Sequence, residues 1–140
     1  MEKLKLFVSQ PMNGLTVDEI KADRQIYVFD VIDRLGLTEN VIVFNNIDQD
    51  ISIAEEMGNP RVYMLGESIK YMSNADAVVF IDDWRGANGC CCEEYICNIY
   101  KIKTLKSSLQ LSRYLRKYRR KLRKEEKRLE KENARKKADV

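Results

Sequence analysis

Ala75-Asp76-Ala77-Val78-Val79-Phe80-Ile81-Asp82-Asp83-Trp84-Arg85-Gly86-Ala87-Asn88-Gly89-Cys90-Cys91-Cys92-Glu93-Glu94 is the stretch whose reading settles the fold. Ala77 to Ile81 is apolar without alternation, the pattern of a strand buried on both faces in a parallel sheet. The run stops at two acids and a glycine-bearing loop, and a helix is expected to follow with Glu93 on its first turn. Open α/β sheets bind ligands at the carboxyl ends of their strands. A carboxylate placed there, near helix N–H groups, is a candidate nucleophile, acid or base.

Outward from that strand the chain keeps alternating. Leu4 to Ser9 is a second apolar strand, and Gln10-Pro11-Met12-Asn13-Gly14 punctuates it as a loop. Thr16 with Glu19 spells a capping box, after which Ile20, Ile26, Phe29, Val31, Ile32 and Leu35 supply a broad apolar helical face ended by Gly36. Val41 to Phe44 is the next strand. Residues 45–60 read as a polar loop with at most a helical turn around Ile53 to Met57. Val62, Leu65, Ile69 and Met72 recur at helical spacing, Glu93 to Tyr100 continues a later helix, and Ile102 to Leu105 is a short final strand. The order β-α-β-loop-α-β-α-β, wound with right-handed crossovers, predicts a three-layer α/β sandwich around a small parallel sheet.

The chain has 140 residues, 44% of them hydrophobic, enough for one compact domain. Its net charge of +3 hides an asymmetry. Residues 1–100 hold 8 Lys and Arg against 17 Asp and Glu, a net of −9, whereas residues 101–140 hold 17 against 5, a net of +12. The division expected is an α/β domain over residues 1–106 and a charged helical extension over 107–140. Leu111, Leu115, Tyr118, Leu122 and Leu129 give that extension a narrow apolar seam, so its first half is expected to pack on the domain or on a second copy. Arg113, Arg116, Lys117, Arg119, Arg120, Lys121, Arg123 and Lys124 raise nucleic-acid contact as an alternative. A solvated helix or an oligomer contact is the preferred reading, because the distal half mixes both signs and no nucleic-acid-binding motif is present.

Cys90, Cys91, Cys92 and Cys97 are too bunched for a disulfide framework. Cys90 and Cys97, seven apart, suit small packing positions on one helix face, while thiols near a helix N-terminus are open to activation. With no histidine and no paired C-x-x-C knuckles, neither a metal site nor a cofactor is expected. No apolar run reaches the ~20 residues of a membrane span. Met1-Glu2-Lys3-Leu4-Lys5 enters a strand pattern directly, as expected of a cytoplasmic chain.

Ser9-Gln10-Pro11-Met12-Asn13-Gly14, Gly66-Glu67-Ser68-Ile69-Lys70, Asn74-Ala75-Asp76-Ala77-Val78-Val79 and the span from Asp83-Trp84 to Glu93 together resemble the nucleoside 2-deoxyribosyltransferase-like superfamily. Within it they look most like the small bacterial or phage-associated proteins of the domain of unknown function 4406 family. The similarity covers roughly residues 3 to 105. It implies a flavodoxin-like fold and cleavage of a (deoxy)nucleoside or nucleotide N-glycosidic bond through a glutamate nucleophile, in the cytoplasm of a bacterium or phage-infected host. Glu93 sits at the nucleophile position, and Asp76, Asp82 and Asp83 are the candidate acids for the departing base. Ser9, Gln10, Met12, Asn13, Gly14, Ser68, Trp84, Asn88 and Gly89 fall on the substrate side. The resemblance also implies a homo-oligomer, with pockets completed by a neighbouring subunit.

Three alternatives stay open. Glu93 could instead answer the helix dipole, Asp82 and Asp83 could cap the loop or helix, and Trp84 could be a lid over a nucleobase or a packing residue. The chain also departs from the family pattern Ser-Arg-Gly-Cys, carrying Ala87-Asn88-Gly89-Cys90, and has Glu93-Glu94 in place of Glu-His. The change at 87 and 88 removes a hydroxyl and a charge from the side that meets a 5′-phosphate or ribose. A nucleotide-binding or nucleotide-sequestering protein without turnover is therefore the rival to the enzyme.

Overall fold

The computed structural model describes residues 1–48 and 52–139. Four strands, β1 (Leu4–Ser9), β2 (Val41–Val43), β3 (Ala77–Phe80) and β4 (Lys103–Leu105), form one all-parallel sheet in the order β2-β1-β3-β4. The helices are α1 (Val17–Arg24), α2 (Asp30–Arg34), α3 (Ser52–Glu56), α4 (Pro60–Met72), α5 (Asn88–Tyr100) and α6 (Ser108–Ala138).

β1 is the centre. Leu6, Phe7 and Val8 are each 0% exposed, which only a strand covered on both faces achieves. Its alternation divides the core in two. Leu4, Leu6 and Val8, with Ala77, Val79 and Ile81, meet Val28, Val31 and Ile32 of the first helical unit and Leu111, Leu115, Tyr118 and Leu122 of α6. On the opposite face Phe7, Val78 and Phe80 meet Met72 of α4, Trp84, and Cys90 and Cys97 of α5. Right-handed crossovers require this arrangement. The step from β1 to β2 runs one way along the sheet, and its helices cover one face. The steps to β3 and β4 run the other way, so α4 and α5 cover the second.

The first helix opens on the expected capping box: Glu19 N–H donates to Thr16 Oγ1 (3.1 Å) and Thr16 N–H to Glu19 Oε1 (3.3 Å). It does not continue regularly. Gln25–Phe29 is π-helical, with Asp30 N–H bonded to Gln25 O, and joins α1 to α2. The buried residues Ile20, Arg24, Val28 and Ile32 recur every four positions, overshooting the 3.6-residue period by ~40° per step, and the wider turn takes up that drift. For the same reason Ile26 and Phe29, expected on the apolar face, point outward at 61% and 39% exposure, and Val28 takes the core position. Gly36 ends the unit with φ +68°, in the left-handed region.

α5 starts earlier than expected. Ala87 holds extended backbone (φ −110°, ψ 120°), and the helix begins at Asn88, with the small residues Gly89, Cys90 and Cys91 completing the first turn. Glu93 therefore lies in the second turn, beyond the free N–H groups of the helix start, and the dipole does not account for it.

α6 keeps the seam read from sequence up to a point. Leu111 and Leu115 are 0% exposed and Tyr118 and Leu122 8%, whereas Leu129 is 42% exposed. The first four turns belong to the domain core. Leu115→Ala should cost ~2–5 kcal/mol of unfolding free energy in urea titration, and Leu129→Ala less than ~0.5 kcal/mol. Equal losses would mean that the helix does not pack as described.

Candidate functional site

The strand order reverses direction between β1 and β3, where chains leaving the two strands diverge toward opposite faces, the position at which open α/β sheets bind ligands. Ser9 and Phe80 are register partners at that end, and Ile81 N–H donates to Ser9 O (3.1 Å). Alternation then sends consecutive residues to opposite layers. Ser9 turns toward α5, where its Oγ donates to Glu93 Oε1 at 3.1 Å. Gln10 turns toward α1: its Nε2 donates to Ile20 O (2.9 Å) and its Oε1 accepts from Arg24 Nε (2.9 Å). Arg24 also donates through Nη1 to Phe44 O at 3.3 Å, beyond the end of β2.

All four side chains are buried, at 1% for Ser9, 5% for Gln10, 3% for Arg24 and 6% for Glu93. Burial pushes the Glu93 carboxyl up to about 7, against the Ser9 hydrogen bond and the positive charge of Arg24, which both hold it down. The Arg24 guanidinium is brought down to about 10, chiefly by burial, with Glu93 opposing. Each partner keeps one buried atom without a hydrogen bond in the protein, Arg24 Nη2 and Glu93 Oε2. Buried polar groups are rarely left so, and an unused donor on Arg24 and an unused acceptor on Glu93 are hydrogen-bonding capacity open to a further group. A cavity of about 320 Å³ opens against Arg24, lined also by Lys21, Phe44, Asn45 and Asp48; Glu93 is not among its lining residues.

The other expected site residues separate into groups. Asp82 and Asp83 are exposed on the rim just past β3, Asp82 hydrogen-bonding the Tyr27 hydroxyl, which it pushes upward in pKa. Asp83 holds left-handed backbone at φ 68°. Met12 is half-buried and its carbonyl accepts from Leu15 N–H (3.2 Å), Asn13 faces Arg61 at 3.5 Å, and Gly14 (φ +78°) turns the loop. Asn88 and Gly89 are exposed on the first turn of α5. Ser68 is half-buried within α4. Trp84 is 8% exposed and packs on Phe80 with ring centroids 5.0 Å apart, a core contact. Asp76 is not brought to Glu93. It precedes β3, its Oδ2 accepts from Lys5 N–H (2.8 Å), and the length of the strand, ~13 Å, lies between it and Phe80.

Arg24 is the residue that sequence reading missed. Its signal was its place four residues after Ile20 and four before Val28, a cation on the buried face. Activation of Cys90 is overturned: burial raises its thiol to about 11, with Glu93 adding and the Ser9 hydrogen bond opposing. Among the described residues no helix is long and apolar enough to cross a membrane. No protein-family model, curated protein or solved structure matches the chain significantly.

The raised carboxyl makes folding pH-dependent. Between 4.5 and about 7 the folded state holds a proton that the unfolded chain has released, so stability falls as pH rises through that interval. Relative to Glu93→Gln, wild type should lose on the order of 3 kcal/mol of unfolding free energy across it. Arg24→Met should carry the loss to higher pH, because the cation no longer holds the carboxyl down. Parallel stability profiles for wild type and Glu93→Gln in denaturant titrations from pH 4 to 9 would refute the assignment.

Proposed function

We propose that this chain processes the N-glycosidic bond of a nucleoside or nucleotide, by transfer or hydrolysis, with Glu93 as nucleophile. One observation carries the reading: a buried carboxyl with its pKa raised to about 7 stands at the strand end where the sheet order reverses, hydrogen-bonded by Ser9 and held down by the charge of Arg24. The resemblance of the Ser9–Gly14 loop and the Trp84 to Glu93 span to the nucleoside 2-deoxyribosyltransferase-like superfamily supports the same chemistry.

The properties of Glu93 suit attack on an anomeric carbon. Departure of the base leaves positive charge on the sugar, and a carboxylate in a poorly solvated site stabilises that charge strongly. Burial also makes the carboxylate more basic than an ordinary glutamate. Its oxygen forms a bond to C1′ as the C–N bond breaks, and the pair of electrons leaves with the base, which takes a proton. Asp82 or Asp83, on the rim past β3, supplies that proton, and Asp76 has no part because it lies at the other end of the strand. Water or a second base then displaces the sugar from the carboxylate. Arg24 Nη2 and Gln10 orient an oxygen of the sugar or its phosphate, and so replace the hydroxyl and charge absent at Ala87 and Asn88.

A specific observation favours a second reading, retention of a nucleotide without turnover. The Glu93 carboxylate is buried, and the cavity of about 320 Å³ meets Arg24 and not Glu93.

Chromatography of a panel of nucleosides and nucleotides after incubation with the full chain separates the two. The enzyme releases free base from at least one; Glu93→Ala abolishes release while melting cooperatively, and Asp82→Asn/Asp83→Asn lowers it by roughly 10²-fold. Ligand that raises the melting temperature yet returns intact establishes the second reading. No release and no stabilisation across the panel would refute both.

A further inference from the structure

We infer that the amino-terminal end of the sheet and the first turns of α6 form a binding groove for a single strand of nucleic acid. A cavity of about 700 Å³ opens there, between the strand starts and α6. It lies at the pole opposite Glu93, separated from it by the length of β1, ~20 Å.

Five cations line it: Lys3 ahead of β1, Lys103 at the start of β4, and Arg113, Lys117 and Lys121 on α6. Its acids are Glu2 and Asp76, and Asp76 is already engaged by Lys5 N–H. Among the described residues none of the five cations is in an ion pair, although Lys21, Lys70, Lys106 and Arg128 all find carboxylates elsewhere. Four-residue spacing stacks Arg113, Lys117 and Lys121 as like charges on one helix face, which destabilises the helix unless an anion offsets it. Lys3 from the acidic first 100 residues, net −9, thus joins four cations of the basic remainder, net +12, in one concavity.

The arrangement of that charge selects the occupant. The three helix cations make a row about 12 Å long, which matches a chain of repeated charges better than the compact phosphates of a free nucleotide. Tyr114 lines the same cavity half-buried between Arg113 and Lys117, offering a ring to a base while the row follows the backbone. A folded acidic surface can meet the exposed cations but does not reach a half-buried ring. Arg116, Arg120, Arg123 and Lys124, exposed on adjoining faces of α6, extend the positive field along the approach.

Fluorescence anisotropy of a labelled oligothymidine of about 12 nucleotides, titrated with the full chain, tests this. Binding is expected, with a log–log salt slope of about −3. Lys103→Glu/Lys117→Glu, two exposed positions on different elements, should weaken it at least tenfold and flatten the slope by about 1 or more. Lys117→Arg should retain it, and Lys136→Glu/Lys137→Glu, at the far end of α6, should change it less than twofold. Photocrosslinking of a bromouracil oligonucleotide to the unaltered chain should map to the peptide containing Tyr114. Loss with the distal pair equal to that with the groove pair would overturn the proposal in favour of diffuse attraction by the helix. Competition by a nucleoside triphosphate or polyglutamate as effective as that by the unlabelled oligonucleotide would overturn it in favour of a small-anion or acidic-protein site. Absence of binding at low salt would also overturn it.

Discussion

Because β1 and β3 lie side by side with Ser9 opposite Phe80, the chain leaving β1 heads for one layer and the chain leaving β3 for the other. That pairing sets the switch point of the sheet and fixes which side chains gather there. Two consecutive residues at the end of β1 alternate across the sheet, so Ser9 reaches α5 and Gln10 reaches α1. A carboxylate from one helical layer and a guanidinium from the other are thereby anchored to adjacent residues of one strand end. A one-residue slip of β1 would exchange the layers of Ser9 and Gln10 and dismantle both contacts, while turning Leu6 and Val8 away from their core.

The cost of the site lies in desolvation. Burial opposes the charge on both Glu93 and Arg24, and their attraction returns only part of what hydration supplied. A well-packed apolar pair of similar volume would serve stability as well or better. Arg24 Nη2 and Glu93 Oε2 each remain without a hydrogen-bond partner in the protein. A fold built only for stability gains nothing from that arrangement.

Much of the architecture was legible because it rests on local, periodic signals. The unbroken apolar strands, the Thr16 capping box, the stop at Gly36 and the Leu111 to Leu122 seam each declare themselves within a few residues. The misreadings share a different cause. Asn88-Gly89 resembles a turn, and only the extended backbone of Ala87 makes it a helix start. The π-helical stretch emerges from a four-residue burial period set by the sheet beneath it. Arg24 went unnoticed because sequence does not show Gln10 and the Phe44 carbonyl converging on it. Asp76 looked close to the other acids, since a few residues of sequence separate them, yet an extended strand converts that interval into distance.

The same limitation governs the basic helix. Considered alone, α6 is a charged helix with a short seam, and a solvated surface is an adequate explanation. Packing changes its meaning. Leu111, Leu115, Tyr118 and Leu122 lock the first turns onto the sheet, which sets the row from Arg113 to Lys121 beside Lys3 and Lys103, residues brought from opposite ends of the α/β unit. The apolar seam therefore does more than stabilise. By fixing the rotation of the helix it decides which cations enter the cavity and which remain in solvent, so the charge pattern acquires its shape from the hydrophobic one.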